Sequence, residues 1–319
     1  AACAGGLPVR SGACFFLMFA PISDKVNLCH DRICSGDWTC AYHYHHPCRR
    51  RGAKTMHSLI KASHIEDYQR DGAVLIKGLF ADYVDLIRDG IEANMRSPGP
   101  YAAENLQPGE AGRFFDDYCN WQRIDQFRNV IHQSPAAEVA ADLMGSQTVQ
   151  IFHDHVLVKE PGTSKPTPWH QDSPYYFVEG QQTVSFWSPV DPVSDASLRC
   201  VAGSHLWERP VLPVRWLAED QFYPDEDSYM PVPDPDAEAM DIREWAMQPG
   251  DAVAFDFRVL HGARGNDSAS RRRAFSVRFV GDDARYVERP GRTSPPFPGH
   301  GMVPGQRLRD DWFPLVFRR

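Results

Sequence analysis

What most limits the fold of this chain is the order of its two periodicities. Helical patterns come first, and runs of alternating or β-branched and aromatic residues follow at 148–159, 182–189, 252–257 and 273–280, each bounded by Gly, Pro or Asp. Ser63 with Glu66 reads as a capping box for a helix ending at Asp71, and Gly72 stops it ahead of the apolar strand 73–76. A second helix is expected over 82–95, with Tyr83, Leu86, Ile87 and Ile91 on one face. The stretch 97–112 reads as a loop, and further helices are expected near 121–132 and 135–144. Helices followed by antiparallel-type strands imply an α+β layout, a β-sandwich or barrel carrying helices on one face.

Composition supports a packed core. Hydrophobic residues make up 42% of the 319 positions and aromatic residues 12%, far from the composition of disordered chains. No run approaches the roughly 20 apolar residues of a membrane span, so none is expected. The net charge of -8, with 28 Arg but only 6 Lys, disfavours nonspecific nucleic-acid binding. Six of the eight cysteines fall before residue 49, and this break in composition leads us to expect a poorly ordered leader, 1–55, ahead of a single domain, 56–319. Cys119 and Cys200 read as buried thiols of a reducing, cytoplasmic compartment. Within the domain, 208–241 is proline-rich and holds ten acidic residues; it is too long for an ordinary connection and is expected to be a lid over a pocket.

Chemistry concentrates at His170-Gln171-Asp172. On extended backbone the first and third side chains share a face and reach one ion, although His-x-Asp also occurs as a plain hydrogen-bonded pair. His261, just after the strand 252–257, supplies a third ligand. Two histidines and a carboxylate on one octahedral face leave the open positions used by non-haem Fe(II) oxygenases. Eleven residues on, Arg272 begins a strand on which Arg272, Ala274, Ser276 and Arg278 share the inner parity, leaving Arg271 and Arg273 to solvent. An inward Arg272, with the Ser276 hydroxyl, suits the distal carboxylate of a dicarboxylic co-substrate. His153-Asp154-His155 is a competing metal motif, but its two histidines face one way and the aspartate the other, so the three do not converge without a bulge. His205, after Gly203-Ser204, reads as a turn residue.

With these motifs in place, 63–281 resembles the phytanoyl-CoA dioxygenase family of Fe(II)- and 2-oxoglutarate-dependent oxygenases. The resemblance rests on His170-Gln171-Asp172, on Ser197-Leu198 with Gly203-Ser204-His205, and on His261-Gly262 with Asn266 and Arg272. It implies a double-stranded β-helix of jelly-roll or cupin-like form with flanking helices. His170, Asp172 and His261 would hold iron, and Arg272 with Ser276 would hold 2-oxoglutarate. Trp187, His155 and Arg113 would lie near the co-substrate, and ascorbate would serve as accessory reductant. The resemblance further implies a small-molecule substrate, O2, release of succinate and CO2, and a monomer or small homo-oligomer. Because Asp172 is kept where halogenating relatives have a small residue, hydroxylation is expected. Cys200-Val201-Ala202, where many relatives have proline before the glycine, implies a local change in that loop. Two rivals stay open: a non-catalytic ligand-binding or structural protein on the same barrel, and a cupin-like metal enzyme without an oxoacid, which would not need Arg272.

Overall fold

The computed structural model describes residues 56–193, 198–218, 220–223 and 227–319. The expected leader 1–55 and Ser197 lie outside them. α1 (Ala62–Asp71) ends where Gly72 adopts the left-handed φ of 76°, which glycine reaches without steric cost, and β1 (Ala73–Ile76) follows at once. α1 is capped at Lys61, whose backbone N–H donates to His64 Nδ1 at 3.3 Å. Ser63 lies inside the first turn, so the expected Ser63–Glu66 box is not its cap. α2 (Val84–Arg96) comes next. β2 (Ala103–Glu104), inside the expected loop, and β3 (Phe114–Tyr118) lead to α3 (Asp125–Gln133) and α4 (Ala136–Met144).

Strands then dominate: β4 (Thr148–Lys159), β5 (Thr167–His170), β6 (Val178–Glu179), β7 (Thr183–Pro189) and β8 (Leu198–Val201). After them come β9 (Ile242–Glu244), β10 (Ala252–Phe255), β11 (His261–Ala263), β12 (Arg272–Val280), β13 (Arg285–Tyr286) and β14 (Leu315–Arg318). One sheet runs β1-β10-β7-β12-β4-β3-β2, with β14 also pairing β4, and a smaller one runs β5-β11-β8-β9. A core cluster with Trp187, Val253, Phe255 and Ala274 from the large sheet and Leu198 and Cys200 from the small one joins their inner faces. Helices cover the other face of the large sheet, where Ile87, Ile91, Val130 and Leu143 pack with Val156, Val277 and Phe279. Phe127 of α3 stacks on Phe275 of β12 with ring centroids 4.7 Å apart. Such a two-sheet roll with helices on one face is the double-stranded β-helix.

β12 shows how parity sorts the chemistry. Phe275, Val277 and Phe279 go under the helices, while Ala274, Ser276 and Arg278 face the barrel interior. Arg271 and Arg273 turn to the acidic residues Glu92, Glu160 and Asp191. Among the described residues, no helix is long and apolar enough to cross a membrane.

Candidate metal centre

His170 ends β5 and lies directly opposite His261, the first residue of β11, so strand pairing alone brings the rings to 4.2 Å between centroids. Asp172 arrives differently. β5 stops at His170, and Asp172 has helical backbone angles (φ -69°, ψ -41°) at the start of a short 3-10 turn, so the extended His-x-Asp geometry expected from sequence does not hold. What makes the turn work is Gln171, whose amide donates to Arg258 O at 2.5 Å and accepts from Val211 N at 2.8 Å, pinning that side chain away from the centre. Asp172 Oδ1 then sits 3.8 Å from His170 Nε2 and 4.0 Å from His261 Nε2. Two donors each about 2.1 Å from one ion are at most ~4.2 Å apart, so these separations fit a shared metal.

Surrounding contacts prepare each donor. The Nδ1–H of His170 donates to Pro168 O at 2.8 Å and that of His261 to Val259 O at 2.9 Å, which leaves both Nε2 lone pairs turned to the centre. Burial, reinforced by the neighbouring His261, pushes His170 down to about 3, and burial also lowers His261, so both rings are neutral ligands at pH 7. Asp172 Oδ2 accepts from Ser185 Oγ at 3.1 Å and from Arg278 Nε at 3.3 Å, leaving Oδ1 for the ion. Burial opposes the charge on Asp172, but the Arg278 guanidinium beside it holds the carboxyl well below the usual range. A hard carboxylate and two imidazoles suit a divalent first-row ion such as iron.

The other expected residues divide. Ser276 and Trp187 lie opposite one another on the inner faces of β12 and β7, both buried. Arg272 is buried beside Lys159 of β4, and both donate to the carbonyl of Arg264, at 3.1 and 3.3 Å. Burial pulls Arg272 down to about 10 and, with Arg272 adding, Lys159 down to about 6. His155 lies on the inner face, its Nε2–H donating to Asp116 Oδ2 at 2.8 Å. Arg113 is a correction. Its side chain is 42% exposed at the start of β3 and pairs with Glu104 at 2.7 Å, so it does not reach the centre. Its placement came from the resemblance alone, and no periodicity precedes it. His205 lies in the short 3-10 turn Ser204–Leu206, and its ring bonds Gln69 O of α1 at 3.2 Å.

A cavity of about 420 Å³ opens onto His170 and Asp172 and is walled by Arg278, His153, Tyr175 and Trp216 among others. A second cavity, about 520 Å³, lies behind Gln171 and touches none of the three donors. Sequence reasoning gave no role to Arg278, Lys159, Asp116 or Trp216. Inner-face parity on 148–159 and 272–278 carried a signal for the first two, whereas Trp216 sits in a segment with no period. That segment is tied down where Tyr175 Oη donates to Val214 O at 2.7 Å and accepts from Val214 N at 2.8 Å, and it sets the Trp216 ring 5.1 Å from that of His170.

Fold and centre together define a double-stranded β-helix protein with a two-histidine, one-carboxylate cluster of the kind that binds non-haem iron. The chain belongs to the phytanoyl-CoA dioxygenase (PhyH) family, whose model matches residues 68–274. A probable phytanoyl-CoA dioxygenase of Caenorhabditis elegans is 24% identical over 268 residues, covering 74% of this chain and 80% of that protein. Among solved structures, the alpha-ketoglutarate-dependent carbocyclase SnoK of nogalamycin biosynthesis superposes with a TM-score of 0.64 at 24% identity, over 83% of this chain and 100% of that one. The epimerase SnoN of the same biosynthesis gives 0.64 at 22%, over 81% and 96%. EctD from S. alaskensis, solved with 2-oxoglutarate and 5-hydroxyectoine, gives 0.58 at 19%, over 78% and 85%. At these identities the likeness is one of fold.

Proposed function

We propose that the chain is an Fe(II)- and 2-oxoglutarate-dependent dioxygenase that hydroxylates an aliphatic C–H bond of a small molecule, releasing succinate and CO2. His170, Asp172 and His261 hold the iron, Arg272 and Ser276 anchor the oxoacid, and residues 208–241 act as a lid within one catalytic domain, 56–319. When bound, iron with 2-oxoglutarate and O2 supplies the oxidising power. The polypeptide positions and shields. Backbone carbonyls fix the histidine tautomers, Ser185 and Arg278 orient the carboxylate, and Trp187 walls the barrel beside Ser276. Arg272 sets a buried cation on the inner face, where a distal carboxylate forms a charge-assisted pair. We place the enzyme in the cytoplasm, where the free thiols of Cys119 and Cys200 stay reduced and ascorbate is at hand.

One observation carries this reading: three buried donors from two sheet strands and a turn, each held by a second contact, share one point. The test is succinate release from 2-oxoglutarate with Fe(II) and ascorbate, alongside anaerobic Fe(II) titration. Wild type should bind one Fe(II) and release succinate, and Asp172→Ala should abolish hydroxylation. Wild type that binds no iron would support a non-catalytic barrel. Iron binding with no use of 2-oxoglutarate would support a cupin-like enzyme.

A further inference from the structure

The cavity beside the metal centre holds polar groups that the proposed reaction leaves unused. Its guanidinium groups are already neutralised: Arg278 lies against Asp172, and Arg215 pairs with Asp220 at 2.9 Å. Asp116, its other carboxylate, bonds His155 at 2.8 Å and Asn105 at 2.6 Å. A polyanion such as coenzyme A therefore meets no open cation on the described walls, and a cationic ligand meets no carboxylate left for it, since Asp116 is bonded and Asp172 faces Arg278. Much of the remaining wall is aromatic. Trp216 stands edge-on to His170, Phe222 packs on Tyr175 at 5.0 Å between centroids, and Tyr101 stacks on Tyr118 at 4.9 Å.

One polar group in this wall has nothing to bond. His153, 2% exposed, faces inward from β4, and its Nδ1–H donates back to the strand at Asp154 O, 3.1 Å away. The opposite edge of the ring, carrying Nε2, therefore points away from the strand, and Nε2 is buried with no hydrogen-bond partner among the described residues. With Nδ1 protonated, Nε2 is a lone-pair acceptor. Burial, and after it Arg278, keeps His153 neutral, so that lone pair stays available. A buried acceptor left unpaired is costly, and a ligand hydroxyl removes the cost.

We propose that this cavity takes an uncharged, ring-bearing molecule whose hydroxyl donates to His153 Nε2 while its ring lies against Trp216 and the neighbouring tyrosines. This rests on the oxygenase reading for its purpose, but not for its test. His153 is a substrate-selecting residue, and the cavity volume of about 420 Å³ falls within the usual range for ligands of drug size. The class excludes acyl-CoA.

Calorimetric titration of the full chain with three probes tests it: 2-naphthol, 2-methoxynaphthalene and coenzyme A. 2-Naphthol should bind wild type roughly five- to a hundredfold tighter than its methyl ether, the range expected for satisfying one buried acceptor. His153→Phe should erase that preference while keeping affinity for the ether. His153→Gln, which retains an acceptor, should restore part of it and guards against a folding defect in the first variant. Coenzyme A should give no binding heat at concentrations that saturate the naphthol site. Equal affinity for naphthol and ether, no naphthol binding at all, or tighter binding of coenzyme A overturns the proposal. Anaerobic Fe(II) and 2-oxoglutarate titrations on the same preparations separate the two readings: if these fail while hydroxyl discrimination persists, the oxygenase reading falls and the subsite stands.

Discussion

Arg278→Met removes the cation nearest Asp172 without adding a polar group. Both side chains are buried, at 5% and 4% exposure, and the Nε to Oδ2 distance is 3.3 Å. Deleting one member of a buried pair leaves the other charge uncompensated and typically costs about 3 to 5 kcal/mol. The lower end applies here, because the contact is long and Ser185 still donates to Asp172. We expect the metal-free variant to lose about 3 kcal/mol of unfolding free energy at pH 7, measured by urea denaturation. The pH dependence follows with a definite sign. In wild type the Asp172 carboxyl is held below its unfolded value, so its contribution is present above about pH 4 and is lost as pH falls through the lowered folded value. Without Arg278 the burial penalty is less opposed and the folded value lies higher than in wild type, so the variant's deficit should shrink as the pH falls towards the carboxylate range. Anaerobic Fe(II), which supplies the missing positive charge, should narrow it as well. A deficit under about 1 kcal/mol at pH 7, or one that widens towards pH 5, refutes the assigned partnership.

Arg272→Ala should raise the 2-oxoglutarate concentration needed for half-maximal succinate release by about ten- to a hundredfold, since a charge-assisted pair is worth about 1.5 to 3 kcal/mol; a large effect from Arg271 or Arg273 instead would mean the strand parity is wrong. Lys159→Met concerns a buried amine lowered to about 6 against roughly 10.4 unfolded, so the native state binds fewer protons between those values and stability climbs with pH by up to about 1.4 kcal/mol per unit. The variant's unfolding free energy should lack that climb between pH 7 and 9, and an unchanged slope counts against a neutral Lys159. Trp216→Ala removes the ring that the 208–241 segment sets against His170, and should uncouple succinate formation from substrate hydroxylation while Fe(II) affinity stays within about twofold; unchanged coupling would reduce that segment to a surface insertion.

Long elements were legible because burial on one face imposes a period. The runs 148–159 and 273–280 became β4 and β12 almost residue for residue, and the helices at 82–95 and 135–144 differ from α2 and α4 by two residues or fewer at each end. β3 was not legible. In Phe-Phe-Asp-Asp-Tyr both aspartates are buried, Asp116 bonded to His155 inside the barrel and Asp117 to Asn94 under the helices, so polar residues occupy both faces and the alternation disappears. β5, β8 and β11, at four, four and three residues, are too short to show a period at all, yet two of the three metal donors sit on them. The donors were therefore found by residue type and spacing rather than by recognising their strands. That is also why Asp172 was placed on extended backbone when it occupies a turn.

Arg278 marks the boundary between what parity can and cannot supply. Counting by two from Arg272 puts it inside the barrel, and it is there. Its partner, however, is 106 positions away in a turn that sequence did not reveal. The register that brings them together also depends on a bulge, because between Arg278 and Phe279 the facing strand passes from His153 to Ile151 and leaves Phe152 unpaired. Without that bulge Phe152 would oppose Phe279, and every residue of β4 before it would change face relative to β12. The bulge keeps His153 and His155 inward with Arg278 while Ile151 packs outward with Phe279, so one inserted residue lets a single strand serve both the polar cavity and the helix-covered core.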